Sequence, residues 1–457
     1  MNHALIHKAS KSHVLSRVEG IVFVGLLLQT LFVLVASSSG APLASVVAGS
    51  PSRAEDIAGN WQITMDFNGR QTFATLSITK KAESLSGSKA VSTKLFSKIY
   101  GCEAAGRIAN SMGDVTEGLS YEKIEEKYGF VDQLLPQDKK GGRRKAAEFG
   151  PEFVYHAHHR PPGMTEDGQE RHKLCTSAII KKGGRITITD LAQTWVEEID
   201  QSKFGYLLGP QDQVIYYSLK WGIPPWEVGR HASWPGFIGT SKMIMPVGMV
   251  NACNPAQAAQ DAFELGLIKD VRGVRGNYAL EVCAGVAAAT AEALKPNATV
   301  ESVIETALGY LSSEPLEEVK QGLQWARKAK TWKELRPLYE EKYHGRPISN
   351  AVEVLSGALA CFYMADGQPR EAILYAVNLG RDTDCKAYIA GGLAGALRGI
   401  ETVPAEWVQV VETQVVDDPY TVSHRTAKEA AEGLYKAAVN NINHVRQVVD
   451  LAEQQMR

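Results

Sequence analysis

Three observations predict an all-α fold for this chain. From Gly101 to the end the texture is helical and rich in Ala, Gly and Leu. No series of alternating apolar and polar residues interrupts that part, so no large sheet is expected there. A last segment from about Thr426 to Met456 carries Leu434, Ala438, Ile442, Val445, Val449, Ala452 and Met456 at spacings of three and four, an apolar stripe on one helix face. The expectation is a compact multi-helix domain over residues 98–415, a C-terminal helix over 416–457, and one small β segment ahead of both.

Residues 1–45 open with a basic, polar stretch holding Lys8, Lys11 and Arg17. An apolar run from Ile21 to Ala36 follows, then the small residues Ser37–Ala41. That order is the pattern of a secretory signal peptide, or, given the length of the apolar run, of an N-terminal membrane anchor. Either predicts an exported (periplasmic or extracellular) or membrane-attached protein. Over residues 55–95 the period switches to two. Trp61–Phe67 and Gln71–Thr79 flank Asn68-Gly69, a hairpin signal. Two strands alone are marginal, so this ribbon must pack on something or pair further.

Helical patterns then cover Pro255–Leu267, Tyr278–Leu294, Val300–Ser312, Leu316–Lys330, Ala351–Met364 and Arg370–Asn378. Trp221–Pro246, heavy in Pro, Gly and Trp, is the main irregular stretch: a substrate loop or a surface wrap. The final stripe packs on its own bundle, with a coiled-coil dimer contact as the alternative.

A net charge of −2 gives no support to nucleic-acid binding. Six widely spaced cysteines with no CxxC pair predict buried free thiols rather than a disulfide framework. No HExxH or Cys/His spacing points to zinc, and neither a phosphate-binding glycine loop nor a GxSxG elbow is present.

Chemistry is concentrated in three Gly-bounded acidic turns: Gly106–Gly118, Pro161–Gln169 and Gly380–Lys386. Their carboxylates and hydroxyls are the hard oxygen donors that Mg²⁺ prefers. In the third, Asp382 and Asp384 stand just before a small-residue helix on which Gly391, Gly395 and Gly399 share a face. Paired acids in an apolar setting need a counter-charge. An Asp cap on a buried helix is the plainer reading.

In these turns the chain resembles the ADP-ribosylglycohydrolase family, which includes the enzyme that releases ADP-ribose from modified dinitrogenase reductase, and some lens crystallins. The resemblance runs from about Gly101 to Trp407. Its most specific part is Gly380-x-Asp382-Thr383-Asp384, the small-residue helix, and Val403-Pro404-Ala405-Glu406-Trp407. It implies a compact all-α domain holding two Mg²⁺ ions, with Thr165, Glu166 and Asp167 on one side and Asp382 and Asp384 on the other. It also implies catalytic roles for Glu117 and Asp167. Two metals about 3.5–4 Å apart orient substrate and activate water, and carboxylates suit an oxocarbenium-like transition state. Asn110, Ser241, Gly248 and Gly380 are implied weakly as substrate contacts. The implied partner is an ADP-ribosylated protein or a small ADP-ribosyl or riboside substrate.

Four positions depart from the family pattern: Ala109-Asn110 where Gly-Asp is usual, Glu166 for Asp, Gly168 for Thr or Asp, and Cys385 for a hydroxyl residue. They weaken the second metal position. They also keep two alternatives open: a catalytically weak or inactive metal- or nucleotide-binding relative, and a hydrolase of a riboside other than ADP-ribosyl.

Overall fold

The computed structural model describes residues 3–8, 45–47, 59–67, 70–78, 93–138, 159–231, 234–272 and 276–456. The apolar run at 21–36 and the Asn68-Gly69 turn lie outside the described residues, and no helix among those described is long and apolar enough to cross a membrane. The chain divides into two compact units, Met1–Ala90 and Val91–Arg457.

Among its described residues the first unit holds four strands, β1 (His3–Lys8), β2 (Ser45–Val47), β3 (Gly59–Phe67) and β4 (Arg70–Ile78). Their order is β2-β1-β3-β4. The β3–β4 register runs from Gly59 opposite Ile78 to Phe67 opposite Arg70, so the two strands are joined through two residues, as a hairpin turn requires. β1 pairs antiparallel with β3 and parallel with β2. The ribbon therefore meets its need for further pairing with residues from the first 47.

The second unit is helical. Its one ribbon among the described residues is β5 (Gln137–Asp138) against β6 (His159–Arg160). The helices that build its centre and site are α1 (Lys94–Asp114), α2 (Asp167–Lys182), α3 (Gly239–Lys242), α4 (Met245–Val250), α5 (Ala279–Ala293), α6 (Ala351–Met364), α7 (Pro369–Val377), α8 (Thr383–Arg398) and α9 (Ala427–Gln455). Local chemistry sets their ends. The Thr93 hydroxyl accepts from Phe96 N to open α1. Gly183, left-handed, closes α2, and a Thr426–Glu429 capping box opens α9.

α1 and α8 form the axis. Both are buried all round through their inner turns, and the charged residues there are paired, as Glu103 is with Arg107 and His172, and Lys386 with Glu353. Their small residues let the two backbones touch. A Cβ on Gly101 would lie 2.5 Å from the Gly395 carbonyl oxygen, and one on Gly391 would lie 3.2 Å from Ala109 Cβ. Gly399, predicted on the same face, serves differently: at φ +90° it ends α8. α9 buries Ala427 to Ala438 against the body, while Val445, Val448 and Val449 near its far end are about half exposed. The Trp221–Pro246 stretch is partly helical, with short turns at Pro225–Val228 and α3. Five of the six free cysteines are buried and Cys253 is exposed.

Candidate active site

The site is built where two turns deliver helix N-termini to the same place. The first turn ends in Glu166, whose carboxylate caps α2 by accepting from Gly168 N at 3.1 Å. The second ends in Asp382, which caps α8 by accepting from Cys385 N at 3.2 Å. The capping reading thus holds for the Gly380–Asp384 turn, with Asp382 as the cap. Its backbone is unusual, with Gly380 at φ +99° and Arg381, a non-glycine, at φ +65°. Such a conformation persists only when the surroundings fix it. Here Arg381 N donates to Leu119 O and Gly118 N to Arg381 O, each at 2.8 Å, while the guanidinium grips Glu353 at 2.8 and 3.1 Å.

Thr383 completes the anchoring. Its hydroxyl donates to Gly113 O at 2.9 Å and accepts from Thr116 at 2.9 Å. The loop after α1, which carries half-buried Glu117, is therefore tied to the Asp382–Asp384 turn.

Asn110 and Glu166 hold each other. Glu166 N donates to Asn110 Oδ1 at 2.9 Å, and Asn110 Nδ2 donates to Glu166 Oε1. Thr165 is buried with its hydroxyl accepting from Lys173 Nζ at 3.1 Å. Asp167, partly exposed, pairs with Arg171 at 2.8 Å, and Arg171 is fixed in turn by a two-bond pair to Asp212, 2.7 Å each. Ser241 is buried one residue before a key side chain on α3. Gly248 lies elsewhere, packing α4 onto α5, where its Cβ would meet Ala287 O at 2.6 Å.

That key side chain is Lys242, which sequence reasoning did not single out. Its ammonium is buried, donates to Asp384 Oδ2 at 2.6 Å and to Glu166 Oε1, and lies 3.9 Å from Asp167 Oδ1. It joins the two turns. The signal was available: one lysine inside Ser241-Lys242-Met243-Ile244-Met245-Pro246 must find a carboxylate once buried. Gly168 makes the space, because a Cβ there would overlap the Lys242 side chain.

Two buried carboxyl groups, Glu166 and Asp384, thus hold one ammonium between them, with Asp167 at 3.9 Å and buried Asp382 in the same turn as Asp384. Burial, reinforced by Asp167, pushes the Glu166 carboxyl well above the usual carboxylate range against the pull of Lys242. Burial and then Asp384 push Asp382 up to about 8. Burial acts to lower Lys242, but Asp384, Cys385, Glu166 and Asp167 outweigh it and hold the ammonium charged. Burial followed by Asp382 and Asp384 keeps Cys385 a thiol.

The donor set for a metal is uneven between the two turns. Donor atoms of Asp382, Asp384 and Cys385 lie within 4.8 Å of one another, and buried Asp382 Oδ2 has no hydrogen-bond donor among the described residues. Lys242 holds Asp384 Oδ2, so Asp382 brings the open oxygen of this turn, and with Asp384 it fits one hard cation; the neutral thiol adds little for Mg²⁺. On the other turn Thr165 is engaged by Lys173, Glu166 by Asn110 and Lys242, and Asp167 by Arg171. That half does not fit a second ion in this arrangement.

Comparison with known proteins follows the geometry. No curated protein matches the chain. A solved structure described as an ADP-ribosylglycohydrolase-related protein complex is similar over 76% of this chain and 99% of its own, at 18% identity and a TM-score of 0.52, which speaks to the fold. The family model for ADP-ribosylglycohydrolase matches residues 91–442, a span that takes in both turns, Lys242 and the start of α9. On that match the chain belongs to the ADP-ribosylglycohydrolase family of glycosidic-bond hydrolases.

Proposed function

We propose that this protein hydrolyses the N- or O-glycosidic bond of an ADP-ribosyl group at the meeting point of the two turns. The observation that supports this is the surplus of carboxyl groups there: Glu166, Asp382 and Asp384, fully buried, against a single ammonium. Packing gains nothing from such a surplus, since buried carboxyl groups cost free energy whether they stay charged or are forced to take up a proton. It is suited to a reaction that develops positive charge on a sugar ring, as glycosidic cleavage does. To Glu117 and Asp167, less buried than the other acids, we assign the meeting with a water or leaving group.

Asp382 and Asp384 would hold a Mg²⁺ ion. When bound it supplies Lewis-acid charge and orientation of ribose hydroxyls. The chain's own residues fix the geometry: Thr383 and Arg381 hold the acids, and Asn110 holds Glu166. The experiment is Mg²⁺-dependent release of ADP-ribose from ADP-ribosyl-arginine, ADP-ribosyl-serine, O-acetyl-ADP-ribose and NAD. Asp382→Ala and Asp384→Ala are each expected to lower release by at least about 100-fold. Full activity in both would refute the assignment.

A second reading, a nucleotide-binding relative without turnover, draws on Lys242 and Asn110, which fill space and hydrogen bonds around Glu166. Calorimetry showing ADP-ribose bound and no product over hours would favour it. Residues 1–45 we propose as an export leader or membrane anchor; recovery of the full-length chain in soluble cytosol would count against this.

A further inference from the structure

We propose that Lys242 is a resident cation: its ammonium takes the place of one divalent ion between the two acidic turns and closes the site to a second ion. The proposal deepens the reading of this cluster as the ligand site and concerns only its cation count.

Position is the first ground. The ammonium bridges Glu166 on the α2 side and Asp384 on the α8 side, with Asp167 Oδ1 at 3.9 Å. A divalent ion joining the two turns would need those oxygens. Lysine reaches them from α3, which neither turn includes.

Space is the second ground, and it is independent. Gly168 lies against the Lys242 stem so closely that any Cβ there would overlap its last carbons. The end of the lysine therefore fills the space left where the second residue of α2 has no side chain. Asn110 is the third. It binds Glu166 through a neutral amide and adds no further negative charge that would demand a second cation. One ammonium with a single positive charge offsets fewer carboxylates than a divalent ion would. The surplus falls on Asp382, which Lys242 does not touch and which with Asp384 can still take one metal.

The test is divalent-ion binding to the full chain, with MnCl₂ and MgCl₂ alone and no nucleotide, read by calorimetry and by melting temperature. The wild type is expected to bind a single Mn²⁺ at most. Lys242→Met is expected to bind one ion more and to gain a rise in melting temperature on adding millimolar Mn²⁺, since an ion that binds only the native state stabilises it. Two ions on the wild type, or no additional ion on Lys242→Met, would overturn the proposal. Gly168→Ala keeps the lysine but evicts it from this space, and should show the same extra ion. Should Lys242→Met fail to fold with or without Mn²⁺, Gly168→Ala decides: a gained ion supports the proposal and none overturns it. No substrate enters the measurement, so a chain that hydrolyses nothing can still pass, and an active one can still fail.

Discussion

Replacing Gly113 by alanine tests the link between helix packing and the acidic turn. Gly113 lies in the last turn of α1, directly under the start of α8. An added Cβ would sit 2.7 Å from Asp384 N and 2.9 Å from the Thr383 carbonyl carbon, both backbone atoms with no side chain to swing aside. Alanine in place of glycine within a helix gains about 1 kcal/mol from propensity. Overpacking costs about 1–3 kcal/mol. Parting the helices also strains the Thr383–Gly113 and Thr116–Thr383 hydrogen bonds, at about 1 kcal/mol each. The net expectation is a loss of about 3 kcal/mol, read from urea unfolding midpoints at constant slope. Gly309→Ala is the control. That glycine is exposed, its Cβ would make only ordinary contacts at 3.5 Å, and the change should stabilise by about 0.5 kcal/mol. Because Asp384 moves with its turn, ADP-ribose release by Gly113→Ala should fall about 100-fold, the usual cost of a misplacement near 1 Å. A Gly113→Ala protein as stable as wild type would show that the two backbones are not in that contact.

Other expectations follow from buried groups near the site. Lys269 is fully buried, and burial, with Arg171 adding to it, lowers its ammonium to about 8. Between about pH 8 and 10.5 the unfolded chain then holds the proton that the folded chain has lost, so stability should rise with pH across that window. Lys269→Met should be more stable than wild type at pH 7 by about 2 kcal/mol, roughly 3 from the shift less about 1 for the lost bond to Gln211. The advantage should vanish at about pH 10 and reverse above it, and a less stable variant at pH 7 would contradict the reasoning. Thr383→Val, nearly isosteric, should cost about 1–2 kcal/mol in the same urea assay, since Thr116 keeps its bond to Val377 O at 2.8 Å. Deleting residues 442–457 should cost less than about 1 kcal/mol, because α9 buries its face only as far as Ala438. A cooperative loss of structure would show that the exposed end is held by something.

What could be seen in the sequence was whatever depends on neighbours along the chain. The 3.6 period and its breakers located Ala351–Met364 at both ends, and α9 to within one residue of Thr426 and Met456. Gly391 and Gly395 announced a close helix partner, though not that the partner was α1. Asp382, Thr383 and Asp384 stood out because acids before a small-residue helix have few structural uses. Lys242 did not stand out. Its partners Glu166 and Asp384 are 76 and 142 residues away, and a charge pair at that separation leaves no periodicity to read. The Trp221–Pro246 stretch likewise carries helical turns too short for a period to register. Arg381 adopts a left-handed backbone that Leu119 and Glu353 impose from outside the turn, and arginine itself has no preference for it.

The distribution of thiols gives the molecule a clock. Cys253 meets solvent, whereas Cys385 is buried in the first turn of α8, its thiol 3.7 Å from Asp384 Oδ2. An alkylating reagent should modify the first at once and reach the second only when the two turns part. The slow rate at Cys385 then counts openings of the site itself, with Cys253 on the same chain as its internal standard.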